Sequence, residues 1–534
     1  MKGDDELKKI ISAKILGDVP IERMPEAMIE GQTLNIDSVS GATYTSNAIL
    51  TAVEDCVVQA GGHVEVLKLL SNKEDNNEQT KIIEKETEVV VIGSGGAGLS
   101  AAVKLGELNT DCIILEKMPT PGGNTMITGA AYNAVDPEKQ KEQGIEDSIE
   151  LHIKQTYEGG DKIANIDLVT ILAENALNSI KWLESYGVEF KEDIVAVIGA
   201  MWPRTHYPIN NRGSDFINVL VPVATEQYNQ ELMLDTKVSQ LLIEDGRVVG
   251  VKAESTINKT TYLIKATKGV IIASGGFGAN IKRCREYNPN IPEDIRTSNH
   301  PGATGDGIDM AVAIGAATEG IEYIQMLPIA GGGMVTTAID NQIFVNQEGN
   351  RFVREDGRRD TMSNAVLEQP GKYFYMIADQ NTLKSDITRD PVQIEQYVKY
   401  GKIKKADTLL ELAELIEADP GNLVKAVEEF NKHVETGEID EFGREVYQNK
   451  INTPPFYASA RQTPKLHYTM GGLRINTKAH VLDNNNNPIP GLYAAGEVTG
   501  GIHGSNRLGG NAVADIFVFG RIAAESLVAE NYLF

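Results

Sequence analysis

Residues 88–130 read EVVVIGSGGAGLSAAVKLGELNTDCIILEKMPTPGGNTMITGA, and this stretch decides the fold. Val89, Val90, Val91 and Ile92 form an apolar run of strand length. Gly93, Gly95 and Gly98 follow in the spacing G-x-G-x-x-G, then a helix-forming run over 99–108 and a second strand over 112–115 that ends on Glu116. The first glycine permits a tight turn, the second lets a pyrophosphate approach the backbone, and the third lets helix pack on strand. The helix N-terminus offers free N–H groups and a partial positive charge to phosphate. Glu116 stands 18 residues after Gly98, where an acid can accept from ribose hydroxyls. Strand, turn, helix, strand and acid in this order predict a dinucleotide-binding βαβ unit. Lys117 follows the acid, and the glycine pair at 122–123 before Asn124 and Thr125 lets the chain pass close to a large flat ligand, pointing to FAD rather than NAD.

Outward from this stretch, 534 residues predict two to four domains. A net charge of −25 argues against a basic face for nucleic acid or an anionic membrane. No run is long and apolar enough to predict a membrane span. MKGDDELKK lacks an apolar signal core, which predicts a cytoplasmic protein, or an extracytoplasmic one if an export signal has been trimmed. The three cysteines (Cys56, Cys112, Cys284) have no metal or haem spacing.

Residues 1–70 read as a small unit with helical patterns over 7–16, 21–31 and 47–60 and the string DSVSGATYTS over 37–46. In the alternative, Ser46 is simply the cap of the third helix. Residues 71–86, SNKEDNNEQTKIIEKE, read as a charged linker. Arg204 and His206 stand in a proline-bounded loop, open to ligand contact or to ordinary loop hydrogen bonding. Strands over 231–254 surround a turn at Asp245-Gly246. A buried strand over 268–278 closes on a glycine loop that includes Gly275. The string SNHPGATGDG over 298–307 precedes a helix expected to reach 317, with Thr304 and Asp306 within reach of phosphate or ribose. Residues 322–466 change character and read as an inserted domain, with acidic helices over 408–418 and 421–435. The C-terminal part, 467–534, returns to glycine-rich strings and ends in a helix from Ala512.

Together the strings GSGGAGLSAA, EK-x-P-x-x-GGNT, SNHPGATGDG, EGNRF-x-x-E-x-x-x-RD, HYTMGG and AAGEVTGG-x-HG-x-NRLGGNA resemble the soluble fumarate reductase and urocanate reductase flavoproteins over residues 87–534. The resemblance implies an α/β fold: a Rossmann-like FAD-binding domain (87–321 and 467–534) with an inserted α+β clamp domain (322–466). The string D-x-x-S-G-A-T resembles the flavinylation motif of FMN-binding domains, which makes 1–70 a small α+β FMN-binding unit, shorter than usual for that family. Its implied acceptor is Thr43, holding FMN by a phosphodiester bond that a flavin transferase makes. The resemblance further implies that Arg359 is the proton donor, that His467 and Arg507 bind a substrate carboxylate, and that Glu497 contacts the ribityl chain of non-covalent FAD. Asn511 and Ala512 fall within the last cofactor string.

The departures from the family bear on substrate. Fumarate reductases hold the second carboxylate with a histidine in Q-x-H-P, where this chain has Leu327. The family's threonine–glutamate pair and following arginine are replaced by MVTTAID over 334–340. A second buried carboxylate facing Met326 and Leu327 would be unpaired, at a cost of several kcal/mol or so. This reading predicts an unsaturated monocarboxylate with an apolar or aryl tail, reduced with electrons passed from a separate flavin reductase or other donor to FMN and then FAD. Urocanate or fumarate itself, an enone reductase or dehydrogenase of the same fold, and an electron carrier without catalysis are the alternatives.

Overall fold

The computed structural model describes residues 81–531 except 330, 331 and 340, together with the helix Thr43–Gln59 and a few residues around it between 24 and 67. The expected helix over 7–16, most of that over 21–31, Asp37, the side chain of Thr43, Asp340 and linker residues 71–80 lie outside the described residues.

The organising sheet has eight strands. Its parallel part runs Glu231–Met233, Cys112–Leu115, Lys81–Ile92, Thr260–Ile272, Pro488–Ala494, with His480–Leu482 antiparallel at the edge. The hairpin Thr236–Glu244 and Arg247–Ser255, turned by left-handed Asp245 and Gly246, pairs onto the first half of Thr260–Ile272. Val89, Val90, Val91 and Ile114 are fully buried, as expected of strands covered on both faces. The helix Gly96–Glu107 joins the first two parallel strands and packs on the long C-terminal helix Asn511–Asn531. Ser100 Oγ donates to Ile516 O across that contact at 3.0 Å.

Two of the three fingerprint glycines, Gly93 and Gly98, are required sterically by the protein itself. Gly93 has φ +102°, and a Cβ there would lie 2.5 Å from Ala273 O. A Cβ on Gly98 would lie 1.9 Å from Gly93 O. The helix starts at Gly96, inside the glycine turn and earlier than the expected 99, because the turn itself supplies its first N–H groups.

The inserted region is entered by the strand Ile324–Leu327 and left by Lys465–Thr469, and these two strands pair with each other. Beyond them lies a four-stranded sheet, ordered Ile343–Val345, Tyr375–Asp379, Phe456–Ala458, Lys404–Ala406. Alternate side chains feed two cores. Ile343, Val345, Tyr375 and Ile377 face the helices Leu409–Leu415 and Pro420–Thr436, while Phe344, Met376 and Ala378 face Arg359–Glu368 and Pro391–Lys399. Thr408 and Glu411 form a reciprocal capping box, and Asp419 caps the next helix through Asn422 N.

Three expectations need correction. Residues 81–86 are strand rather than linker: they pair in register with 260–265, and their side chains alternate in exposure despite the charge. The helix after SNHPGATGDG spans only Asp306–Val312, ending before Gly315, which takes φ +97°. Ser46 lies within the helix Thr43–Gln59, fully buried, so it is not that helix's cap. Met24, Met28, Leu34 and Ile49 make a small core there, apart from the main one.

Replacing Gly98 with valine overpacks the helix–strand crossing, at about 1–3 kcal/mol or more. The expected result is purified protein with a lower Tm and less bound flavin than the parent, measured by thermal unfolding and flavin absorbance.

Candidate active site

One cavity of about 810 Å³ runs from the glycine turn to the inserted region. Among the cofactor residues expected from sequence, Gly93, Gly95, Glu116, Lys117, Gly123, Asn124, Thr125, Gly275, Asp306, Glu497 and Ala512 line it. The buried carboxylate of Glu116 accepts from Ser94 N and Oγ at 3.0 and 2.8 Å and from Met118 N at 3.0 Å, which orients it at the end of its strand. Lys117 Nζ donates to Thr304 Oγ1 (2.6 Å) and Asp306 (2.8 Å). Burial works against the Asp306 carboxylate, yet the Lys117 bond and charge hold it below its usual pKa. Asn124 bridges three segments, donating to Asn299 and Glu497 and accepting from His300 N at 2.7 Å. Thr125 Oγ1 accepts from Gly96 N at 3.0 Å.

These residues fit a flavin dinucleotide. The hydroxyl of Ser274 is buried without a protein partner at the cavity wall, and Gly275, at φ +72°, has open space where a side chain would stand. Both observations match a backbone that a ligand approaches closely.

Three expected residues stand elsewhere. Gly98 packs helix on strand behind the turn. Thr304 holds Lys117 from outside the cavity lining. Asn511 is fully buried in a network with Asn133, His152 and Thr156, so it fixes the start of the last helix and leaves Ala512 at the cavity. Arg204 and His206 also turn away. Arg204 makes a two-point pair with Asp147 at 2.7 and 3.0 Å, both side chains fully buried, and His206 bonds to Ala134 O.

At the cavity's other end stand Arg359, His467 and Arg507. Arg359 begins its helix and reaches back to Ile198 O at 2.9 Å, passing Gly199, whose φ of +78° and missing Cβ make room for its stem. It pairs with neither acid near it in sequence: Glu355 takes Arg351 and Arg444, and Asp360 takes Arg358. Its Nη1 is buried and unpartnered. Arg507 lies over the Tyr468 ring (4.5 Å to the centroid), donates to Leu508 O and to Gln325 Oε1 at 3.1 Å, and leaves Nε unpartnered. His467 Nδ1 lies 2.9 Å from Ser298 Oγ. Burial, then the charge of Arg507, pushes the Arg359 pKa well below its usual value. Burial and both arginines depress His467 in the same direction, so its imidazole is neutral at pH 7.

Leu327, Ile329 and Met334 line the same cavity. Met326 packs into the main core instead, because successive strand residues face opposite sides. Gln325, Ser298 and Tyr207 reach the site without having been singled out as site residues.

A family model for the FAD binding domain matches residues 88–513, and one for the FMN-binding domain matches 4–58. Urocanate reductase of Eggerthella lenta is 37% identical over 96% of this chain and 86% of that protein. The chain belongs to this family of flavin-dependent reductases. As such it is an oxidoreductase. An NADH:acrylate oxidoreductase of Vibrio harveyi is 38% identical over 95% of the chain, which spans only 56% of that longer protein. The open conformation of a flavocytochrome c3 fumarate reductase superposes with a TM-score of 0.65, at 36% identity, over 83% of this chain and 78% of that one. Among the described residues no helix of this flavoprotein is long and apolar enough to cross a membrane.

Arg204→Met strands Asp147 in the interior, and breaking a buried pair costs about 3–5 kcal/mol. Thermal unfolding should show a clear loss of stability, while KM for the substrate stays within about twofold, since surroundings rather than ligand are disturbed. A large rise in KM without loss of stability would return Arg204 to the ligand site.

Proposed function

We propose that this chain reduces the carbon–carbon double bond of an α,β-unsaturated monocarboxylate with an apolar or aryl tail, using electrons that arrive through FMN on Thr43. The observation that carries this reading is the group of Arg359, Arg507 and His467: two buried cations that repel each other, beside a half-buried imidazole, with no carboxylate among the described residues hydrogen-bonded to any of them. Such a group calls for an anion from outside.

Bound reduced FAD supplies the hydride to the β-carbon. Gly93, Gly95, Glu116, Lys117, Gly123, Asn124, Thr125, Gly275, Asp306, Glu497 and Ala512 are the residues that hold it. Arg507 grips the substrate carboxylate with its guanidinium fork. Ser298 Oγ lies 2.9 Å from His467 Nδ1 and 3.1 Å from Leu466 O; in the tautomer with its proton on Nε2, the His467 ring donates that proton to the same carboxylate. Both bonds strengthen as charge develops on that group during reduction. Arg359 gives a proton from its guanidinium to the α-carbon. An arginine ordinarily holds its proton too tightly for this; burial and the neighbouring cation make release easier here. Leu327, Ile329 and Met334 receive the tail and offer a second carboxylate no partner.

A substrate with a polar far end, such as urocanate or fumarate, is the second reading. It is favoured by Arg389, which lines the cavity with its Nε buried and unpartnered.

Reoxidation of the anaerobically reduced protein by acrylate, crotonate, cinnamate, urocanate and fumarate tests both readings. Fast oxidation by at least one monocarboxylate and slow oxidation by fumarate is expected; fast fumarate alone selects the second reading. Arg359→Gln should slow the preferred substrate by about 10²–10⁴-fold with flavin content intact. Mass spectrometry of protein produced with a flavin transferase should find FMN on the parent and none on Thr43→Ala.

A further inference from the structure

Arg359 and Arg507 come from segments far apart in sequence, and one carboxylate touches both segments. Arg358 stands immediately before Arg359, and Ser505 two residues before Arg507. Arg358 Nη1 and Nη2 donate to the two oxygens of Asp161 at 2.6 and 3.0 Å, and Ser505 Oγ donates to Asp161 Oδ2. Asp161 follows the helix Ile149–Gly159 and belongs to neither segment. The Arg358 bond is the chief cause that holds the Asp161 carboxylate below its usual pKa, so it is charged at pH 7.

The turn that presents Asp161 fits closely against the Arg507 loop. A Cβ on Gly160 would lie 2.5 Å from His503 O, and one on Gly504 would lie 2.2 Å from Gly160 O. Ser505 N donates to Gly160 O at 3.2 Å. Asn506 Nδ2 donates to Gly159 O at 3.1 Å, its Oδ1 accepts from Gln325 Nε2 at 2.9 Å, and Gln325 Oε1 accepts from Arg507 Nη2 at 3.1 Å. Successive hydrogen bonds thus tie the turn to the Arg507 guanidinium. Asp161 and Lys162 both take left-handed backbone, at φ +60° and +61°, a steric cost that the surrounding contacts must offset. On the other side, Arg358 is the N-cap of the helix Arg359–Glu368, and its guanidinium also takes both oxygens of Asp360 at 3.0 and 2.7 Å. Fixing Arg358 therefore fixes the helix start from which Arg359 reaches the cavity.

The side chain of Asp161 is 53% exposed and that of Arg358 26%, and a pair so open to water adds little stability. Its placement is the informative part. It joins the inserted region, which carries Arg359, to the nucleotide-binding domain, which carries Arg507. We propose that Asp161 is a positioning residue for the reaction. By holding Arg358 and Ser505 at once, it sets the proton-donating arginine at its working distance from the arginine that anchors the acid, and the Arg358–Asp161 pair seats the inserted region over the site. Asp161 lines no part of the cavity and passes no proton. The assignment rests on the reading of Arg359 as proton donor, for which a misplacement of about 1 Å costs on the order of 10²-fold in rate.

Asp161→Asn keeps an acceptor for Ser505 and removes the charge that the Arg358 fork requires; Arg358→Met removes the other half of the pair. Both variants and their combination are compared with the parent as flavin-loaded protein, with turnover of acrylate, crotonate and cinnamate driven by reduced methyl viologen. Each single variant should lose at least about tenfold in kcat with KM within about threefold, because Gln325 still holds Arg507. The double variant should lose no more than Arg358→Met alone, since one contact is broken in both. Tm and flavin content should move little, while amide hydrogen exchange over 350–360 quickens in all three variants. An unchanged kcat, losses that multiply in the double variant, or a kcat loss that comes with lost flavin and a clear fall in Tm would overturn the assignment. If the parent reduces no unsaturated carboxylate, that failure lies with the proposed function, and exchange decides alone: quickening over 350–360 sustains the tie between the two segments, and unchanged exchange overturns it.

Discussion

Two buried arginines and a half-buried histidine gathered at one cavity with no carboxylate between them are expensive, and the rest of the molecule is arranged around that expense. Arg359, His467 and Arg507 come from three separate parts of the chain, so no local rule puts them together. Each is held by neutral partners: Arg359 by Ile198 O, His467 by Ser298 Oγ, and Arg507 by Gln325 Oε1 and Leu508 O. Glu497, Asp515 and Tyr468 soften the field at Arg507 from behind. None of them takes up the hydrogen bonds that point into the cavity. A fixed, uncompensated field of this kind is already organised before the reacting charge appears, which is the condition under which electrostatic stabilisation is effective.

The inserted region shows how the uncompensated state is protected. Its segment NRFVREDGRRD, 350–360, holds four arginines and three acids. Arg351 goes to Glu355 and Asp440, Arg354 to Asp356, and Arg358 to Asp360 and Asp161. Arg444 Nη1 shares Glu355 Oε2 with Arg351. Every nearby acid is spoken for, and Arg359 alone of the four is left to face the cavity. Buried pairs of this sort add little net stability; here they decide which arginine goes without.

What could be read from sequence follows the same division. The glycine turn, the first two parallel strands and the acid at Glu116 are local, and steric demands at Gly93 and Gly98 write them directly into residue types. Two short strands that pair with each other, Ile324–Leu327 and Lys465–Thr469, stand where the sequence changes character. The pairing of residues 81–86 was hidden by their charge, since the strand that receives them lies almost 180 residues further on, at 260–265. Asn511 and Thr304 matched cofactor strings, yet their side chains serve the backbone around the cavity; a string records neighbourhood and not direction. Tyr207 and Gln325 escaped notice for the opposite reason, because tyrosine and glutamine in a loop or strand carry no pattern of their own.

Leu327 is the last residue of the strand leading out to the inserted region, and His467 lies on the strand leading back. The wall that meets the tail and the group that anchors the acid are thus hung on one two-stranded stalk. Exchanging the whole lobe between relatives with cuts inside the stalk would separate them, splitting a matched ruler into halves of different gauge. Cuts placed outside both strands would carry the ruler across whole, leaving behind only the nucleotide cradle, which measures nothing about the fuel it reduces.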